Sequence, residues 1–180
     1  MQLADDEIRL ASPVAGDSIV DGPGLRAVVW CQGCYRACPG CHNPETWDVQ
    51  AGTVVKIDWV KQKLRQMEGQ TGLTLSGGEP MLQAKACKEL ADWAHREMGW
   101  NVLSFTGYLY DDIKAGRDWS TPEMWELVKS IDMLIDGPFI LAERDLSLKF
   151  RGSRNQRLLH LKDGEIVVLT HKHIGTERTV

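Results

Sequence analysis

The 180-residue sequence has no run approaching the roughly 20 apolar residues that a membrane-spanning helix needs, which excludes a transmembrane helix. Its first residues, MQLADDEIRL, lack the basic start and apolar stretch of an export signal, so a cytoplasmic protein is expected. Surplus positive charge is missing too. The 21 Lys and Arg against 25 Asp and Glu leave a net charge of −4, which gives no electrostatic case for nucleic acid as a partner. Internal repeats and low-complexity tracts are absent, and the length suits one domain, residues 1–180, with a full hydrophobic core. Five cysteines, an odd number without an export signal, do not suggest a disulfide framework and point to metal or redox use.

What is there is a concentration of thiols: Cys31, Cys34, Cys38 and Cys41 fall within eleven residues. The fifth, Cys87, sits in an apolar helical pattern and reads as a buried, inert thiol. Four readings compete for the cluster. All four thiolates could close a zinc site, although structural zinc usually joins two separated cysteine pairs. All four could hold a closed electron-transfer cluster, although Cys31 continues a strand and its side chain can point into a sheet. Cys38-Pro39-Gly40-Cys41-His42 also matches haem-attachment and thioredoxin-like spacings, but either use leaves Cys34 idle. The fourth reading accounts for most of the pattern: Cys34, Cys38 and Cys41 hold an iron-sulfur cluster. Cubane clusters normally take four thiolates, so three would leave one iron open for a ligand.

Along the chain, residues 25–30 read as a buried strand that delivers the cysteine loop. A helix is expected over 58–67, with Asp58 as its cap and Val60, Leu64 and Met67 on one face. Residues 73–75 form a short strand ended by Ser76-Gly77-Gly78-Glu79-Pro80, and a helix follows with Leu82, Ala86, Leu90, Trp93 and Ala94 on one side. A strand over 101–105 ends at Thr106-Gly107. A helix over 122–129 is capped by Ser120 or Thr121, and a strand over 133–135 ends at Asp136-Gly137-Pro138. Alternation of this kind implies parallel pairing, with sites at the carboxyl ends of the strands. A full eight-unit barrel takes about 200 residues or more, so the expected fold is α/β, a partial, open (β/α) barrel. Asp163-Gly164, between residues 157–161 and 166–169, signals a C-terminal antiparallel hairpin, and the tail from 171 onward is expected to fray.

The run Cys34-x3-Cys38-x2-Cys41 resembles the signature of radical S-adenosylmethionine enzymes, and Ser76-Gly77-Gly78-Glu79-Pro80 resembles their S-adenosylmethionine-binding turn. Asp21-Gly22-Pro23-Gly24-Leu25-Arg26 and Cys41-His42-Asn43-Pro44-Glu45-Thr46-Trp47 are similar to the glycyl-radical-enzyme activating enzymes within that superfamily. Phe105-Thr106-Gly107-Tyr108, Asp136-Gly137-Pro138-Phe139 and the stretch from Leu148 to Arg157 resemble the activators of anaerobic ribonucleotide reductase. The likeness covers roughly residues 12–161.

The resemblance implies a [4Fe-4S] cluster on Cys34, Cys38 and Cys41, with S-adenosylmethionine on the open iron. Reductive cleavage would give a 5′-deoxyadenosyl radical that abstracts a glycine Cα hydrogen from a protein partner. Anaerobic ribonucleoside-triphosphate reductase is the expected partner, with a flavodoxin or ferredoxin as electron donor. Gly40, Cys41 and His42 are expected to line the adenine side, with a simple surface residue as the lesser reading of His42. Gly77 and Gly78 would let the backbone approach the methionine moiety, and Glu79 or its backbone, in the same turn as Pro80, would accept from its ammonium group. Asp136 follows a buried strand and would hold a ribose hydroxyl, a basic side chain or a cation. The polar run Arg151, Arg154, Asn155, Gln156 and Arg157 could grip a partner's loop or form a solvated face. A small-molecule enzyme of the same superfamily, such as 7-carboxy-7-deazaguanine synthase, is the alternative.

Overall fold

The computed structural model describes residues 3–170 and 178–179. The strands β1 (Glu7–Leu10), β2 (Ala15–Ser18), β3 (Arg26–Cys31) and β4 (Thr53–Lys56) precede helix α1 (Ile57–Arg65). Then come β5 (Gly72–Gly77), α2 (Ala84–Trp93), β6 (Asn101–Phe105), α3 (Tyr110–Lys114), α4 (Pro122–Lys129) and β7 (Met133–Asp136). The strands β8 (Arg157–Lys162), β9 (Glu165–Thr170) and β10 (Arg178–Thr179) complete the order.

All of these strands join one mixed sheet in the order β10-β9-β8-β7-β6-β5-β3-β1-β4, with β2 also on β3. β3, β5, β6 and β7 are parallel neighbours, and the strands outside them pair antiparallel. Among the described residues the sheet is not closed into a barrel. The helix between each pair of parallel strands carries the chain back across the sheet, which parallel pairing requires.

Alternation along the parallel strands sorts their side chains. Ala27, Val29 and Cys31 of β3, Leu73 and Leu75 of β5, Val102 of β6 and Leu134 of β7 pack in one core with Val60 and Leu64 of α1, Leu90 and Trp93 of α2, and Leu127 of α4. The helices therefore cover one face. The opposite face carries a separate cluster of Leu103, Met133, Ile135 and Leu158, with Phe105 and Phe150 packed against it. Phe150 belongs to the long connection between β7 and β8 and has φ 60, an uncommon conformation for a bulky residue, so surrounding contacts hold it there. The amino-terminal end of the same face is built around Arg26, which is fully buried and donates to Thr74 Oγ1, Asn101 Oδ1 and the carbonyls of Pro23 and Leu73. Burial pushes its guanidinium down to about 10, opposed by the charges of Asp132 and Asp21. A Cβ on Gly72 would lie 2.2 Å from Arg26 Nη1, so glycine there makes room for it.

The helix over 122–129 and the strand over 101–105 fall where expected. Asp58 does not cap α1: Lys56 occupies that position with no side-chain bond, and Asp58 lies in the first turn, paired with Lys61 at 3.1 Å. The hairpin forms at Asp163 and Gly164, whose φ values of 52 and 83 suit a type I′ turn. The tail expected to fray lies outside the described residues, apart from β10. Short strands β1, β2 and β4 and helix α3 have no counterpart among the sequence expectations. Among the described residues no helix is long and apolar enough to cross a membrane.

Candidate functional site

The cysteine loop leaves the carboxyl end of β3 and is pinned at once. Gly33 N–H donates to Thr46 O at 2.8 Å and Cys34 N–H to Trp47 O at 3.1 Å. Gln32 is buried and donates to Glu45 O and Asp48 O, holding the far limb of the loop against the strand end. Cys38-Pro39-Gly40-Cys41 is a tight turn, with Gly40 at φ 76 and Cys41 N–H bonded to Cys38 O at 3.0 Å. Proline then glycine at the two central positions is what a type II turn calls for, and it brings two cysteines close together. Ala37 also has a positive φ, 43, a conformation that glycine tolerates better than alanine.

Cys34, Cys38 and Cys41 are free and half-buried, while Cys31 and Cys87 are free and fully buried. Burial pushes the Cys34 thiol up, and the backbone amides of Arg36 and Ala37 partly offset this by favouring the thiolate. Among the described residues no three His, Cys, Asp or Glu side chains gather tightly enough to share one metal ion. A four-iron cubane takes each thiolate on a separate iron, so three soft donors on one loop fit such a cluster without converging on a point. Cys31 points among the helices, its Sγ 3.7 Å from that of Cys87. Their mutual contact and burial raise the Cys87 thiol well above its usual range.

The Gly77-Gly78-Glu79 turn lies directly against this loop. Gly78 N–H donates to Cys31 O at 2.7 Å and Glu79 N–H to Gly33 O at 2.8 Å. A Cβ on Gly77 would meet Cys31 O at 2.4 Å, and one on Gly78 would meet Gly33 O at 2.5 Å. These glycines are therefore required by the packing of two backbones, a reason that the sequence expectation, a ligand's approach or a plain strand-to-helix turn, did not include. Pro80 opens a buried 3-10 turn over Pro80–Gln83.

Glu79 is fully buried, and its carboxylate accepts from Met81 N–H at 3.0 Å and Gly107 N–H at 2.8 Å. It thereby stitches the turn after β5 to the turn after β6. Burial pushes its carboxyl up to about 7, against the pull of these amides, Thr106 and Arg36. Of the two acceptors expected for a ligand's ammonium, the Glu79 side chain and its backbone, the side chain is occupied by protein amides.

Asp136 is likewise held by the protein itself. It is fully buried on the helix side of β7, where Arg157 grips both carboxylate oxygens and Tyr110 N–H donates at 2.8 Å. Arg157 also reaches Asp111 at 2.9 Å, and these bonds raise its already high pKa further. Of the three partners open to Asp136, the structure supplies the arginine. Asn155 and Gln156 are likewise turned inward, donating to Pro138 O at 2.7 Å and Gly137 O at 3.1 Å, and Arg151 donates to Gln156 O. Much of the polar run thus shapes its own loop. Gly40 touches that loop through Leu141, whose Cδ1 lies 2.9 Å from where a Cβ would stand. His42 is exposed on the cysteine loop.

Neighbours that sequence reasoning missed gather at the turn after β6. Arg36, between the first two loop cysteines, lies 5.3 Å above the Tyr108 ring, and Tyr108 stacks on Trp119 with centroids 4.3 Å apart and planes 17° apart. Glu79, Arg36, Cys34 and Tyr35 all bear electrostatically on Tyr108. The turns after β3, β5 and β6 therefore form one continuous edge. The turn after β7 joins it through Gly137 N–H, which donates to Tyr108 O at 2.9 Å.

An edge of parallel strand ends with three free thiols on one loop and a glycine turn bonded to it fits an iron-sulfur domain. Residues 20–159 match the family of 4Fe-4S single cluster domains. The chain is 34% identical over 152 residues to the anaerobic ribonucleoside-triphosphate reductase-activating protein of Enterobacteria phage T4, covering 81% of this chain and 90% of that one. It is 33% identical over 152 residues to the protein of the same name from Escherichia coli strain K12, covering 80% and 94%. The counterpart from Haemophilus influenzae is 30% identical over 151 residues, covering 80% and 93%. The chain belongs to the family of anaerobic ribonucleoside-triphosphate reductase-activating proteins. Among solved structures, QueE from Escherichia coli aligns with a TM-score of 0.45 at 14% identity over 56% of this chain and 52% of that one, a likeness that carries no argument.

Proposed function

We propose that this chain activates a glycyl radical enzyme, anaerobic ribonucleoside-triphosphate reductase. Cys34, Cys38 and Cys41 would hold a [4Fe-4S] cluster, and the backbone of Gly77, Gly78 and Glu79, together with Gly40, Cys41 and His42, would line the place for S-adenosylmethionine. When bound, the cluster and S-adenosylmethionine together supply a one-electron cleavage that yields a 5′-deoxyadenosyl radical able to take a hydrogen from a glycine Cα. The observation that carries this reading is the pair of backbone bonds that fix the Gly78-Glu79 turn against Cys31 and Gly33.

The chain's own residues orient and enclose. Pro39 and Gly40 set the spacing of Cys38 and Cys41, and Glu79 keeps the β5 and β6 turns in register. The Asp136–Arg157 pair anchors the start of α3 and the loop before β8, so it supports the edge from behind. An open sheet, as part of an incomplete barrel, would leave the edge accessible to a segment of another protein. A flavodoxin or ferredoxin would deliver the electron.

The test is anaerobic reconstitution with iron and sulfide, followed by addition of S-adenosylmethionine, a reductant and purified anaerobic ribonucleotide reductase. A glycyl radical doublet in the electron paramagnetic resonance spectrum of the reductase is expected. A reconstituted protein that cleaves S-adenosylmethionine yet leaves no radical on the reductase would overturn the choice of partner. One that retains no iron would overturn the whole reading.

A further inference from the structure

Arg36 lies within the cysteine loop, yet holding the cluster and S-adenosylmethionine gives it no task. Its position is nevertheless built. A Cβ on Gly107 would stand 2.9 Å from Arg36 Cγ, so glycine at 107 is what lets the arginine stem lie across the turn after β6. The guanidinium then comes to rest 5.3 Å from the centre of the Tyr108 ring, and Trp119 backs that ring at 4.3 Å. A cation over an aromatic face is attracted by the ring quadrupole, and a guanidinium can also stack flat on it. Gly107, Tyr108 and Trp119, all beyond a different strand end, therefore seat one cation of the loop.

The consequence is electrostatic. Arg36 is exposed, and an exposed arginine free to sweep through water would have its charge largely screened. Seated, the charge stays on the loop between Cys34 and Cys38 and close enough to the buried Glu79 to favour its carboxylate form. A cluster on three thiolates is anionic and becomes more so on reduction, and net charge is one of the terms that set cluster potentials. A fixed cation in the ligand loop favours the reduced form.

We propose that Arg36 is a positioning residue for the cluster: held on the Tyr108–Trp119 stack across Gly107, it pins the cysteine loop to the β6 turn and makes the cluster easier to reduce. This inference rests on the iron-sulfur reading of the loop. It is tested on the reconstituted full chain by redox titration, following the cluster by visible absorbance and electron paramagnetic resonance, with iron and sulfide measured for every sample.

Arg36→Gln should keep its iron and shift the midpoint potential to a more negative value. Arg36→Lys, which restores the charge, should move it most of the way back. Tyr108→Leu, which removes the seat and leaves the arginine, should shift it in the same direction as Arg36→Gln but less. An unchanged potential in Arg36→Gln at full iron content overturns the proposal, as does a shift in Arg36→Lys equal to that in Arg36→Gln. If Arg36→Gln retains no iron, Tyr108→Leu decides, and a wild-type potential there overturns it. Failure of the unsubstituted chain to hold a cluster would instead count against the iron-sulfur reading itself.

Discussion

Cys31 is the last residue of β3 and packs fully buried against Cys87 of α2, while Cys34, three residues on, stands half-buried on a loop with Cys38 and Cys41. The two regions are chemically alike in sequence and opposite in structure. On the strand, alternation sends the Cys31 side chain to the helix face with Ala27 and Val29. Beyond the strand, Gly33 with φ 101 breaks the alternation, and the following thiols are free of the core. A cysteine's position relative to a strand end, more than its spacing to the next cysteine, decides whether it can serve as a ligand.

Substitutions can break that comparison. The largest effect is expected for Cys38→Ala, which removes a loop thiolate: retained iron should fall to background while far-ultraviolet circular dichroism stays native. Gly78→Ala comes next, because its Cβ would meet Gly33 O at 2.5 Å and push the glycine turn off the cysteine loop. Iron retention and S-adenosylmethionine cleavage should both drop at least tenfold, and an alanine variant with full activity would sink the packing argument.

Asp136→Asn removes the buried partner of the partly buried Arg157, which keeps Asp111, and should lower unfolding free energy by about 1–3 kcal/mol in urea while iron retention stays unchanged. A smaller effect concerns pH. Glu79 ionises near 7 in the folded chain against an ordinary 4.5, so folding holds the proton more tightly than the unfolded chain does. Stability from this group is therefore lost as pH rises from 4.5 to 7, by up to about 3 kcal/mol, and is flat on either side. Glu79→Gln should flatten that slope, as measured by urea midpoints at pH 5 and 7.5. The smallest effect is expected for Cys31→Ala: full iron retention and a stability loss of about 1–2 kcal/mol from the small cavity. Loss of iron in that variant would restore Cys31 as a ligand and erase the contrast between the two regions.

Most of the edge is legible in the amino-acid sequence. The loop cysteines, the Pro39-Gly40 turn and the Asp163-Gly164 hairpin are local, so residue types fix them through turn chemistry alone. Helix 122–129 is equally plain from Thr121 and Pro122 at its start. The short strands β1 and β4 are not, because four-residue segments carry too little periodicity to register and gain their place only by pairing, β1 with β3 and β4 with β1. Helix α3, at five residues, is held by Asp136 at Tyr110 N–H, a contact spanning 26 positions.

The same division runs through the site. The chain by itself determined which residues could bind a cluster and where the turns would fall, since thiolate chemistry and positive-φ glycines are properties of single residues and their neighbours. Tertiary structure alone decided which face each strand-end side chain meets. Through that choice it gave Asp136 to Arg157, gave Glu79 to Gly107 and seated Arg36 on Tyr108. Those partners come from different strand ends, and only the register of the parallel sheet, set by burial of the helix-facing side chains, brings them together.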